Sequence, residues 1–180
     1  MPIISTDIIF KLATTGGTAG NSQPQANPFQ SLGGFISTSP IASGSLNNLW
    51  DNISGAENAA STMDYRCVFI HNSNATLTLM AAIAWISAEV SGGADVYVGV
   101  DPAVASPIGQ ASSQAAISTT ELVAPAGVNF SKPVTKAGGI ALGDIPPGKC
   151  RALWIKRSAN NTPAVSNDGA TLRVEGDTAA

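Results

Sequence analysis

Charge is what this 180-residue chain has least of: Lys+Arg 9 and Asp+Glu 12 make up only 12% of it, with a formal net charge of -3. Globular chains carry about twice that fraction. No broad field is available to draw in nucleic acid or an anionic membrane. The chain also has one histidine and two cysteines far apart in sequence. Neither cysteine has a Cys or His neighbour at metal-ligand spacing, so no metal or cofactor is expected. Aromatic residues make up 6%, few for a sugar-stacking platform. Long hydrophobic runs are missing too. The best candidate, Leu77 to Ile86, is interrupted by Thr78 and falls short of the roughly 18 residues of a membrane helix. Met1 to Asp7 lacks a basic start followed by an apolar stretch, so the expectation is a soluble protein made in a cytoplasm without a secretory leader.

What the chain does have is Gly 18, Pro 11 and many short apolar runs between turn residues. Strands are expected at Asp7 to Leu12, Tyr65 to His71, Thr76 to Ala88, Asp95 to Val100, Gln114 to Leu122, Gly127 to Phe130, Gly139 to Leu142, Cys150 to Arg157 and Ala170 to Glu175. Val96, Val98 and Val100 alternate with Asp95, Tyr97 and Gly99, and Leu172 and Val174 alternate with Thr171, Arg173 and Glu175. Such period-two patterning buries one face of a strand. No crossover helices of the kind a parallel sheet needs are visible. The fold class expected is all-β: an antiparallel β-sandwich or jelly-roll-like domain with an extended N-terminal arm and one short helix. That helix is placed at Ser45 to Ile53, where Leu46, Leu49, Trp50 and Ile53 share a face, with Ser45 as N-cap and Gly55 near the stop. Trp50 would plug one end of the sandwich.

The domain division expected is 1–33, a first strand plus a Gly/Asn/Pro-rich arm, and 34–180, the sandwich. The arm, Ala13 to Leu32, is too polar to fold on its own, and so long a loop in a compact domain points to function. Its partner would be another subunit, or else its own domain.

No catalytic residues are assigned. Gly16-Gly17-Thr18-Ala19-Gly20 lacks the Lys-Ser or Lys-Thr and the following helix of a phosphate loop. His71 reads as a surface histidine at a strand end, with no marked nucleophile beside it. Cys67 and Cys150 read as buried thiols, an inter-strand disulfide being the alternative. Lys149, Arg151, Lys156 and Arg157 would decorate both faces of one strand, an arrangement unlike a nucleic-acid stripe. Candidate partner contacts are Phe29 and Phe35 as apolar anchors, Trp50, and Lys156 and Arg157 as ion-pairing groups.

Several segments, read in order, carry a resemblance. They are Asp7-Ile8-Ile9-Phe10-Lys11-Leu12, Ser31-Leu32-Gly33-Gly34-Phe35-Ile36-Ser37, Asn48 to Glu57, Tyr65-Arg66-Cys67, Ile145-Pro146-Pro147-Gly148, Ala152 to Arg157 and Leu172 to Thr178. Together they span nearly the whole chain, which resembles the small structural proteins of tailed bacteriophages. The resemblance implies a non-enzymatic virion component, assembled in the host cytoplasm, and brings no catalytic residues with it. Physical reasoning favours a capsid decoration (cement) protein: its arm and one sandwich surface would bind and stabilise the major capsid protein shell, with many copies giving avidity. A homo-oligomer is expected, a trimer suiting a threefold capsid junction. The alternatives are a tail or baseplate adaptor subunit joining other virion proteins and, behind it, a host-receptor or glycan-binding module.

Overall fold

In the computed structural model, described for residues 2–16, 27–108 and 112–178, the chain is an all-β protein of two antiparallel sheets. The strands are β1 (Ile8–Thr14), β2 (Phe35–Pro40), β3 (Met63–Asn72), β4 (Leu79–Glu89), β5 (Asp95–Val100), β6 (Ser106–Pro107), β7 (Ile140–Ile145), β8 (Lys149–Ser158) and β9 (Ala170–Thr178). The larger sheet runs β2-β1-β3-β8-β5, with β6 also on β8; the smaller runs β7-β4-β9. Leu12, Val68, Ile70, Val98, Leu153 and Ile155 from the first pack against Leu79, Ala84, Ile86, Leu142 and Ile145 from the second. This is the sandwich core.

The other face of the larger sheet is also buried. Ala13, Ile36, Tyr65, Cys67, Phe69, Cys150, Ala152 and Trp154 form a second apolar cluster, joined by Ala115 and flanked by Val128 and Phe130. The residues roofing it come from the two stretches expected to be strands at Gln114 to Leu122 and Gly127 to Phe130. The structure corrects both: each is irregular chain, tied to the sheet by single bridges, Gly33 to Ile117 and Val98 to Ser131. The roof touches the sheet only at isolated edge positions, Val98 of β5 bonding Ser131 in both directions and Tyr65 N of β3 donating to Glu121 O (2.8 Å), and otherwise crosses the face. β3 is consequently buried on both faces from Asp64 to Asn72.

The expected helix at Ser45 to Ile53 is also corrected. That segment is turn and loop: Asn47 takes φ +54 and Leu46 stands 76% exposed. Leu49 and Trp50 still pack on the sandwich core, so the apolar spacing served docking rather than helix formation. The single α-helix described, α1 (Gly55–Ala60), begins where termination was expected. Ser54 Oγ accepts from Glu57 N (3.2 Å), and Glu57 Oε2 accepts from Ser54 N (2.7 Å). Such reciprocal capping satisfies two of the otherwise unpaired donors of the first turn.

β1 lies inside the larger sheet, between β2 and β3. Residues 17–26, half of the expected arm, lie outside the described residues. The chain returning from them is bound to its own domain. Ser31 Oγ donates to Cys67 O (2.6 Å) and accepts from Ala13 N (2.7 Å), while Cys67 N donates to Ser31 O (2.7 Å). Gly33 follows at φ +89, and a Cβ there would sit 1.9 Å from Ala116 O. Only glycine permits both that backbone and that approach.

Candidate partner-binding surfaces

The five proposed contact residues do not form one patch. Phe35 is 8% exposed in β2 and therefore buried in its own domain rather than free as an anchor. Phe29, half-buried, sits in a short 3-10 turn capped by Asn27, whose Oδ1 accepts from Phe29 N (3.0 Å). Lys156 faces the roofed side of the larger sheet, flanked in register by Tyr65 and Tyr97. Its ammonium lies 3.9 Å from the Tyr97 ring centroid, a cation–π contact within its own chain.

Trp50 and Arg157 do meet, but inside the fold. At one end of the sandwich both the Arg66 and the Arg157 guanidinium carbons lie 4.9 Å from the Trp50 ring centroid. Arg157 donates from Nε (3.0 Å) and Nη2 (2.6 Å) to Asp64 Oδ2, and from Nη1 to Asp51 O (2.5 Å). Its side chain is 9% exposed and that of Asp64 5%, so Arg157 is a buried clamp rather than a solvated contact for a neighbour. Arg66 is fully buried, pairs with Glu121 and donates from Nη1 to Tyr65 O (3.1 Å). The two arginines thus hold down the 41–54 connection and the 118–123 part of the roof. Sequence reasoning saw neither role, because the pairing partners are remote in the chain.

Asp101, buried just after β5, is a second hub. Its Oδ1 accepts from Ala103 N (2.9 Å), a local turn bond; its Oδ2 accepts from Trp154 Nε1 and Ala116 N (both 2.9 Å). One carboxylate therefore joins the sheet to its roof. A shallow open cleft of about 390 Å³ lies along residues 89–95 with Asn160 and Thr162. Lys132 bridges Glu89 (2.5 Å) and Asp95 beside it.

His71 is 7% exposed, which corrects its reading as a surface residue. It faces the roofed side, opposite Cys150 in register. Burial and the nearby Lys11 charge hold its pKa below the ordinary 6.5. The unfolded chain therefore takes up more protons than the folded one as pH falls through about 6.5, and stability declines. Because the chain has one histidine, unfolding titrations at pH 7.5 and 5.5 should differ in the wild type, and His71→Gln should remove most of that difference.

Cys67 and Cys150 are free and buried, as the thiol reading held. Burial drives the Cys67 pKa well above its ordinary value and pushes Cys150 up to about 11. Thiolate is the reactive form. The native protein at pH 8 should therefore give no colour with a thiol-exchange chromophore over minutes, and both thiols should react after denaturation.

All ten aromatic residues lie in described chain, and none is exposed. No family model matches this chain, and neither the curated proteins nor the solved structures contain a match to it.

Proposed function

We propose that the protein is a non-enzymatic virion structural protein of a tailed bacteriophage, a decoration protein that binds the outside of the capsid shell. The observation that carries this reading is where the charge goes. Arg66, Arg157, Asp64 and Asp101 are buried and spent on tying irregular chain to the sheet. What the protein offers outward is a surface with few charges for its size, scattered apolar side chains such as Leu46, Val104 and Val134, and open strand edges. Interface cores are depleted of charge in the same way, and repeated weak contacts on a shell gain strength through avidity. Absence of an exposed aromatic weighs against the glycan-binding alternative, since sugar platforms need an accessible ring face.

The test is immunogold labelling of intact virions with antibody against this chain, with mass spectrometry of the purified particles. Label spread over the head is the expected result. Label confined to the tail would replace the decoration reading by the adaptor one, and absence of the chain from purified particles would overturn both.

A further inference from the structure

β9 closes the smaller sheet on one side, and its outer edge receives no backbone hydrogen bond among the described residues. Nine residues of extended chain thus present a row of unpaired donors and acceptors. Edge strands are usually blunted by proline, lysine or a bulge. β9, Ala-Thr-Leu-Arg-Val-Glu-Gly-Asp-Thr, has neither proline nor lysine. Its pairing with β4 does contain two irregularities, between Met80 and Ile83 and between Ile86 and Ala88. Both put the extra residue on β4, opposite Asp177–Glu175 and Leu172–Thr171 respectively. β9 itself therefore carries no inserted residue along its free edge.

The side chains say what fits that edge. Thr171, Arg173, Glu175 and Asp177 are exposed on one face, while Leu172 and Val174 lean on the sandwich core. Opposed residues of an antiparallel pair share a face. A twofold axis through Val174 places Arg173 opposite Glu175 of the second copy, twice over, and Thr171 opposite Asp177. On the inner face Val174 meets Val174, and Leu172 lies opposite Gly176. Shifting the axis to residue 173 sets Arg against Arg, and to residue 175 sets Glu against Glu. Among the described residues Arg173 has no acidic partner in its own chain. Glu175 holds Lys136 at 3.0 Å and keeps acceptor capacity for a second cation.

We infer that β9 pairs antiparallel with β9 of a second copy of this chain about a twofold axis at Val174, joining the two smaller sheets into one six-stranded sheet. The inference is independent of the virion reading, because it concerns the purified chain in solution.

Sedimentation equilibrium of the purified protein over a range of concentrations tests it. The wild type should sediment as a dimer that dissociates on dilution. Arg173→Glu places four carboxylates around the axis and should weaken dimerisation at least tenfold, with the monomer's melting temperature nearly unchanged. Arg173→Glu combined with Glu175→Arg restores opposite charges and should recover most of the affinity. A wild type that remains monomeric throughout, a dimer indifferent to Arg173→Glu, or a double variant no better than the single one would each overturn the proposal.

Discussion

Replacing Asp64 by alanine should lower the unfolding free energy by about 3–5 kcal/mol, the cost of leaving one member of a buried ion pair behind. For a chain of this size that corresponds to a fall in melting temperature of about 6–20 °C. Asp64 Oδ2 accepts two of the Arg157 bonds, and what remains to the guanidinium is Asp51, at O (2.5 Å) and at Oδ1 (3.4 Å). That carboxylate is half exposed and belongs to the loop that Arg157 itself restrains. The loss should therefore spread: Trp50, stacked on the same guanidinium, should lose its fixed environment, visible in near-ultraviolet circular dichroism. The double replacement Asp64→Leu with Arg157→Met should recover most of the stability, since a buried pair exchanged for apolar side chains of similar volume is often neutral or better. A double variant as unstable as the single one would show that Arg157 acts through packing on Trp50 and not through its charge.

Trp154→Ala should cost as much, about 3–5 kcal/mol for truncating a buried tryptophan. The ring is fully buried between sheet and roof, so the cavity would open at the seam joining them. A further loss arises at Asp101, whose Oδ2 would keep the Ala116 N bond and lose the indole donor. Trp154→Phe separates the two contributions. It keeps most of the apolar contact and removes only the N–H, and should cost about 1–3 kcal/mol. Guanidinium titrations followed by far-ultraviolet signal would read both. If Phe proves as damaging as Ala, the hydrogen bond to Asp101 dominates; if Phe is silent, packing does.

The strands legible in the sequence were those with one consistent period. β5 was read to the residue, and β3, β8 and β9 to within a few, because alternation or a continuous apolar run persists along each. β2 was not read: Phe35-Ile36-Ser37-Thr38-Ser39-Pro40 has two apolar residues followed by a polar tail ending in proline, which suits an edge strand but carries little period. The false helix at Ser45 to Ile53 and the false strands at Gln114 to Leu122 and Gly127 to Phe130 share one cause. Apolar spacing records that a segment is covered, not which backbone covers it, and loops docked on a sheet bury side chains as effectively as elements do. The true helix did leave a signal, the Ser54-Gly55-Ala56-Glu57 capping sequence. Among the candidate contacts, Phe35 and Arg157 are buried within their own chain, which the sequence did not signal. A buried arginine is identified by its partner, and Asp64 stands opposite Arg157 only once β3 and β8 have paired.

That pairing also sets the timetable of folding. β3 is the middle of the larger sheet, flanked by β1 from the start of the chain and by β8 from near its end. Residues 63–72 therefore emerge from the ribosome long before residues 149–158, against which every one of positions 63–71 must register. Until then the most completely buried strand of the protein has only β1 beside it, and neither of its faces has its full cover. Closing such a distant contact is slow, and the exposed intermediate is prone to aggregate. The larger sheet is thus completed only once residues 149–158 have been made, and slowed translation or truncation ahead of β8 should yield insoluble chain rather than a smaller folded domain.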